Sequence, residues 1–255
     1  MNRLPAIVPV EIADRLPFVT VTVGAERLRL RFDSGAYGTG VGLTPEELSR
    51  VQVDYSGASR NMDALGNISV SRKFIVPSVM IGNLKLSHVP GNELVFSANN
   101  IPAGNTGHVG MTSLRSFLLV VDFRAKQIEI RRSGDYPRIC GTQEANLILD
   151  PVGLVSVFYT SYGKIRLLWD TAAQTNVLKP FVLGIEPGGF TVGDPRTLSG
   201  SIYESELTET EFRLVDVQIP GVDGILGYDY FADHIVCLDL SAGRVRSAPK
   251  AAAGR

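Results

Sequence analysis

Hydrophobic and polar residues alternate along much of the chain, which is the pattern of a β-strand with one buried face. Residues 19–23 read VTVTV, residues 27–32 read RLRLRF, residues 127–130 read QIEI and residues 211–217 read EFRLVDV. Each of these segments predicts a half-buried strand. The 26 Gly and 14 Pro residues are spread along the chain, as in folds built from many short strands joined by turns.

Helix signals are few and short. Thr44 can cap a helix that begins at Pro45, and Glu47 can reach back to the backbone of Thr44, which together form a capping box. Residues 112–117 and 228–232 predict single helical turns. The pattern as a whole therefore predicts an all-β protein with a few short helices.

The second half of the chain repeats part of the first. Residues 107–132 (GHVGMTSLRSFLLVVDFRAKQIEIRR) parallel residues 224–249 (GILGYDYFADHIVCLDLSAGRVRSAP). Shared Gly and Asp positions lie 117 residues apart, at 107 and 224, 110 and 227, and 122 and 239. Such a repeat predicts two homologous lobes, which we place at residues 1–135 and 145–250.

Each half also contains an aspartate at the end of a hydrophobic run, followed by a hydroxyl residue and two small residues. The two turns are Asp33-Ser34-Gly35-Ala36 and Asp170-Thr171-Ala172-Ala173. Two carboxylates brought together at such turns could share a proton and activate a water molecule, whereas one carboxylate could not.

The bulk composition narrows the function classes. A net charge of −1 over 255 residues favours neither a nucleic-acid partner nor binding to an anionic membrane. No apolar run reaches the ~18 residues of a membrane span, and the first residues lack the pattern of a secretory signal. We therefore expect a cytoplasmic protein. Its three histidines show no metal-ligand spacing, so no metal is expected.

Cys140 and Cys237 are the two cysteines of the chain. They could form a disulfide, but thiols so far apart in sequence are more often buried, unpaired side chains. We expect the unpaired state.

The two aspartate turns and the repeat lead to a resemblance. The chain resembles the retropepsin/pepsin-type aspartic proteases, in the form with two tandem lobes on one chain. A lobe of that family carries Asp-Thr/Ser-Gly-Ala/Ser/Thr, then a flap hairpin, then two hydrophobic residues and Gly before a short helix. Residues 33–36 match the first motif, and residues 223–231 (DGILGYDYF) are very close to the second.

The chain departs from the family pattern at two positions. Ala172 stands where the family has Gly, and Ala fits there without cost only if its φ is negative. His108 stands where Ile or Leu is usual, in a position expected to pack under the turn.

The resemblance implies a pepsin/retropepsin-like fold of two β-barrel-like lobes around a central cleft. Asp33 and Asp170 would form the catalytic pair, one from each lobe, with a water molecule between them. The hydroxyls of Ser34 and Thr171 would cross to the opposite lobe and lock the turns together. The other supporting residues would be Gly35, Ala36, Ala172 and Ala173.

Ala36 and Ala173 stand where pepsins have Ser or Thr, whose hydroxyls donate to the ionised carboxylate. Without these donors the pKa values of the pair should be higher. We therefore expect activity at mildly acidic to neutral pH.

The flap candidate is the hairpin tip formed by Ala64, Leu65, Gly66 and Asn67, which would close over a bound peptide strand. The predicted function is an aspartic endopeptidase that acts on polypeptides without a cofactor. We expect a monomer, because both aspartates lie on one chain. The alternative is a catalytically inactive two-lobed protein of the same fold that binds peptides or acts as a scaffold.

Overall fold

The computed structural model describes residues 3–63, 65–95, 106–150, 152–186, 188–202 and 205–250. Its strands are β1 (Ala6–Ala13), β2 (Leu16–Val23), β3 (Glu26–Phe32), β4 (Val41–Leu43), β5 (Asp54–Met62), β6 (Ile68–Ile81), β7 (Leu84–Glu93), β8 (His108–Val109), β9 (Phe117–Asp122), β10 (Gln127–Arg132), β11 (Ala145–Asn146), β12 (Ile148–Asp150), β13 (Gly153–Thr160), β14 (Gly163–Trp169), β15 (Val177–Leu178), β16 (Pro195–Ile202), β17 (Ser205–Leu214), β18 (Gly224–Leu226), β19 (His234–Asp239) and β20 (Arg244–Pro249). Two short α-helices, α1 (Pro45–Leu48) and α2 (Tyr228–Asp233), and 3-10 turns at Thr112–Leu114, Arg138–Cys140 and Pro180–Leu183 complete the described elements. The predicted all-β class with short helices is confirmed.

The first helix begins where its capping box predicts. The N–H of Glu47 donates to the Thr44 hydroxyl at 3.2 Å, and the N–H of Thr44 donates to the Glu47 carboxylate at 2.8 Å. The same carboxylate also accepts from the N–H of Gly107 at 3.0 Å. Glu47 therefore ties α1 to the segment that enters β8.

The strands form two sheets. The larger has 13 strands in the order β11-β20-β19-β9-β10-β1-β2-β3-β8-β4-β7-β6-β5, and the smaller has seven in the order β12-β13-β14-β18-β15-β17-β16. Within the larger sheet β19 pairs antiparallel with β9, and Cys237 lies opposite Val120. Strands from both ends of the chain thus share one sheet. The lobe boundaries at 1–135 and 145–250 stay a prediction.

The sequence repeat has a structural counterpart. The hairpin β9–β10 covers residues 117–122 and 127–132, and the hairpin β19–β20 covers residues 234–239 and 244–249. Corresponding strand ends are therefore 117 residues apart, the same spacing as the repeated Gly and Asp positions.

The hydrophobic core holds the ends of the two strands that lead into the aspartate turns. Phe32 and Trp169, the residues directly before Asp33 and Asp170, are both 0 % exposed and belong to one cluster drawn from both halves. Burying two such side chains contributes about 2–3 kcal/mol each. Each turn is thus anchored by a core residue on its N-terminal side.

Cys140 and Cys237 form a disulfide, with their Cα atoms 5.9 Å apart, so the expectation of unpaired thiols is wrong. Both cysteines are fully buried, and they pack with Leu118 and Val120 of β9. The pairing of β19 with β9 places Cys237 in this cluster, a contact that lies far from local in sequence.

No helix within the described ranges is long and apolar enough to cross a membrane.

Candidate active site

Both aspartates lie at the end of a strand that has a parallel neighbour. The N–H of Asp33, after β3, donates to the carbonyl of Val109 in β8 at 3.0 Å. The N–H of Asp170, after β14, donates to the carbonyl of Leu226 in β18 at 3.0 Å. The two halves therefore build equivalent turns, each held by the Gly-hydrophobic-Gly segment of its own half.

Ser34 and Thr171 join the two turns through crossed hydrogen bonds. The N–H of Ser34 donates to Oγ1 of Thr171 at 3.0 Å, and the N–H of Thr171 donates to Oγ of Ser34 at 2.9 Å. The Ser34 hydroxyl donates to the Trp169 carbonyl at 2.8 Å, and the Thr171 hydroxyl donates to the Phe32 carbonyl at 2.7 Å. Both side chains are fully buried. Since no water competes for these bonds, they hold the aspartate turns against each other.

The carboxyl groups are oriented by backbone donors of their own turns. Oδ1 of Asp33 accepts from the N–H of Ala36 at 2.9 Å, and Oδ1 of Asp170 accepts from the N–H of Ala172 at 2.8 Å. A methyl group built on Gly35 would lie 2.7 Å from both Cγ and Oδ2 of Asp170. The first turn therefore touches the carboxyl group of the second, and only Gly leaves room for it.

The pKa of Asp170 depends on its burial and on the neighbouring Asp33 carboxyl group. Burial and, next, the charge of Asp33 raise the pKa of Asp170 to about 7, although the N–H groups of Ala172 and Ala173 and the charge of Arg31 lower it. Two adjacent carboxylates do not both ionise cheaply, so the pair retains one proton over a wide pH range. An acid and a base are then available side by side.

Ala172 fits the place where the resembled family has Gly. Its backbone does not adopt a positive φ, so the methyl group causes no left-handed strain. Its N–H still donates to Asp170. The departure in the second turn thus leaves the carboxyl group with its backbone donor.

A cleft of about 890 Å³ is lined by both carboxyl groups, and this volume is within the size range of small-molecule and cofactor pockets. Its walls come from both halves of the chain and include Tyr37, Phe74, Val152 and Ile219. The cleft is therefore placed where a substrate would meet the carboxyl pair.

The hairpin β5–β6 supplies one wall of this cleft, and its tip is the predicted flap. Leu65, Gly66 and Asn67 lie in the turn, whereas Ala64 lies outside the described residues. The Asp63 carboxylate accepts from the N–H groups of Leu65 and Asn67 at 2.9 Å each. A methyl group on Gly66 would lie 3.0 Å from Cβ of Gln218. The flap tip thus reaches across to the second half.

The sequence did not assign two residues that border the carboxyl pair. Arg31 and His108 both line the cleft, and Nη2 of Arg31 is 3.7 Å from Oδ2 of Asp33. The sequence contains one signal for Arg31. It lies two residues before Asp33, and residues two apart along a strand lie on the same face. His108 is buried as expected, yet it also faces the cleft.

Comparisons with known proteins bear on the fold. No family model matches the chain, and no curated protein matches it in sequence. Among solved structures it is similar to the crystal structure of aspartic proteinase from Irpex lacteus, with a TM-score of 0.64 and 12 % identity over 95 % of this chain and 96 % of that chain. The chain therefore has a pepsin-like, two-lobed, all-β fold. The tandem retropepsin-like subtype stays a prediction.

Proposed function

We propose that the protein is an aspartic endopeptidase that hydrolyses peptide bonds with a water molecule activated between Asp33 and Asp170. The crossed bonds of Ser34 and Thr171 are the observation that carries this proposal. They bring one carboxyl group from each half to the floor of a cleft. Packing of the hydrophobic core alone would not require this arrangement.

In the proposed reaction the ionised Asp33 accepts a proton from the water as its oxygen attacks the peptide carbonyl carbon. Asp170 donates its proton to the carbonyl oxygen, so that a tetrahedral diol forms. Asp33 then transfers its proton to the peptide nitrogen while a hydroxyl of the diol returns a proton to Asp170. The carbon–nitrogen bond breaks, an acid and an amine are released, and the pair regains its starting state. Aspartic proteases are the standard example of such a shared proton. The raised pKa of Asp170 supports its role as the initial acid.

The small residues of the turns have supporting roles in this proposal. Gly35 and Ala36 place the first turn against Asp170 and orient Asp33, and Ala172 and Ala173 provide the backbone N–H groups of the second turn. The flap tip would close over a polypeptide strand and exclude water from the carboxyl pair. Both turns belong to one chain, so a monomer contains the complete site.

The direct test is cleavage of a peptide library by the wild type, Asp33→Asn and Asp170→Asn, with and without pepstatin. Asp135→Asn is a matched control, because that carboxylate lies in an exposed turn outside the cleft. We expect the wild type and the control to cleave with pepstatin sensitivity, and both dyad variants to lose at least about 10³-fold in kcat/KM. Equal cleavage by all four proteins would contradict the proposal.

The inactive peptide-binding alternative predicts a different outcome of the same experiment. In that case the wild type would bind pepstatin in calorimetry but would cleave no peptide. The alternative is tested because Ala172 and His108 depart from the pattern of the resembled protease family.

The cytoplasmic location expected from the sequence stays a prediction. The disulfide between Cys140 and Cys237 argues for an oxidising compartment, since such bonds are rare in the cytosol. Thiol alkylation in the native cells decides between the two, because a bridged pair resists alkylation and a reduced pair reacts after denaturation.

A further inference from the structure

Arg31 and His108 form a polar wall directly beside Asp33. β3 and β8 run parallel, and their register places Arg31 opposite His108. Arg31 also lies on the same face of the chain as Asp33, and Nη2 of Arg31 is 3.7 Å from Oδ2 of Asp33. A ligand group that contacts Arg31 therefore lies beside Asp33.

Three buried nitrogen atoms of this wall have no hydrogen-bond partner among the described residues. His108 is 8 % exposed, and neither ring nitrogen has a hydrogen-bond partner among the described residues. The Arg31 side chain is 12 % exposed, and its Nε also has none. Buried donors without acceptors are costly and rare in folded proteins. A ligand that supplies acceptor oxygens would satisfy them.

The neighbouring backbone holds the imidazole in place. A methyl group on Gly42 would lie 2.4 Å from Cε1 and 2.7 Å from Nε2 of His108, so the ring packs on a bare Gly. Burial lowers the pKa of His108, with Asp33 and Glu47 acting in the opposite direction and Arg31 in the same direction. The ring is therefore neutral near pH 7 and offers one N–H donor.

Apart from the carboxyl pair, the acidic groups of this region already accept hydrogen bonds within the protein. Glu47 accepts from the N–H of Thr44 and the N–H of Gly107, and Glu93 receives two hydrogen bonds from Arg72 at 2.8 and 2.9 Å. In contrast, Arg60 and Lys73 of the flap hairpin line the same cleft and form no salt bridge within the described part of the chain. Arg60 and Lys73 thus add positive charge to the cleft that Arg31 and His108 line.

We propose that Arg31 and His108 form a specificity subsite for an acidic side chain, Asp or Glu, at one of the two residues that flank the cleaved bond. The inference rests on the proposed peptidase function and names its substrate class. Arg31 donates through Nε and a terminal nitrogen of its planar fork, the geometry that matches a carboxylate. His108 donates its ring N–H to the same group. Asp33 keeps its proposed role as the base that acts on the water.

The test uses pairs of hexapeptides that differ only by Glu or Gln, placed in turn at each residue flanking the cleaved bond. At pH 6 and low salt the wild type should prefer Glu at one of these positions by about tenfold or more in kcat/KM, since a hydrogen bond to a charged group has that effect. Arg31→Met should reduce the ratio to about 1, and Arg31→Lys should keep part of it.

Arg27→Met is the matched control, because it removes the same charge from the same face of β3 at an exposed position outside the cleft. It should keep the wild-type Glu/Gln ratio. His108→Leu should lower the ratio severalfold and reports on the imidazole independently of Arg31. A wild-type ratio near 1 at both positions, or an unchanged ratio in Arg31→Met, overturns the subsite while leaving the peptidase function intact.

Calorimetry separates this inference from the proposed function. The probes are the same Glu and Gln peptides with the scissile amide reduced to an uncleavable CH₂–NH bond. Tighter binding of the Glu peptide by the wild type but not by Arg31→Met supports the subsite even if no peptide is cleaved. Equal binding of both peptides, or binding of neither, contradicts it.

Discussion

At the scale of single residues, Gly35 and Ala172 occupy equivalent places in the two aspartate turns but have different steric limits. Gly35 faces the Asp170 carboxyl group with no room for a methyl group. Ala172 carries one and keeps both a permitted backbone and its bond to Asp170. The two turns are thus related by the repeat without being interchangeable.

Substitutions at Gly35 and Ala172 test this difference in steric limits. Gly35→Ala forces a methyl group within 2.7 Å of the Asp170 carboxyl carbon, so we expect kcat/KM to fall by at least about 100-fold as the pair is displaced. Ala172→Gly removes a methyl group without such a contact and should change kcat/KM by less than about tenfold, with a loss of ~0.5–1 kcal/mol in the free energy of unfolding. Equal effects of the two variants on kcat/KM would contradict this assignment.

The sequence identified the residues whose pattern is local. Asp33, Asp170 and the hydroxyls of Ser34 and Thr171 stand in short motifs, and the structure brings them together. Arg31 and His108 were not assigned to the site, because their proximity depends on the parallel register of β3 with β8. The family resemblance also predicts an apolar residue at position 108, so it does not indicate a polar side chain in the cleft there.

At the scale of elements, the flap hairpin shows what local patterns predict well. The sequence predicts a turn at residues 64–67, and in its described part the N–H groups of Leu65 and Asn67 donate to the Asp63 carboxylate. The predicted strand 211–217 was less accurate, since β17 ends at Leu214. Its neighbour β15 ends at Leu178, opposite Leu214. Beyond this point the chain leaves the sheet, and the N–H of Val217 donates to the carbonyl of Val215. A strand ends where its partner ends, which alternation alone does not reveal.

Loosening the flap tip should weaken substrate binding more than catalysis. Asp63→Ala removes the acceptor of two backbone N–H groups in the turn, so we expect KM to rise about 3–10-fold while kcat changes less than about threefold. Steady-state kinetics with one cleaved peptide measure both values. Asp135→Ala, in a turn outside the cleft, should leave KM unchanged. A fall in kcat alone would count against a role of the tip in binding.

At the scale of the whole molecule, the two halves are interlocked rather than simply adjacent. β19 and β20 lie in the sheet of β9, β10 and β1, and Arg15 and Asp229 form an ion pair across the halves at 3.0 Å. The repeat predicted two lobes but not this shared sheet, because strand pairing over more than 100 residues leaves no local pattern. The same long-range pairing explains why the disulfide was missed.

The disulfide should stabilise the fold without taking part in the site. It closes a loop between positions 97 residues apart, so replacing both cysteines with Ala should lower the free energy of unfolding by about 2–4 kcal/mol. Urea unfolding of the wild type and of Cys140→Ala/Cys237→Ala measures the difference. Wild type unfolded in reductant should match the double variant, and a double variant as stable as the oxidised wild type would contradict the expectation.

The central claim is that Asp33 and Asp170 share one proton while they hydrolyse a peptide, and the pH dependence of kcat/KM tests it most directly. Burial and the charge of Asp33 raise the pKa of Asp170 to about 7, so the protonated acid is present below that pH and is lost as the pH rises through it. We predict cleavage with its maximum at mildly acidic to neutral pH and an alkaline limb with a midpoint near pH 7. A profile that peaks below about pH 3, at or under an ordinary carboxyl pKa, or that still rises above about pH 8, would contradict the account.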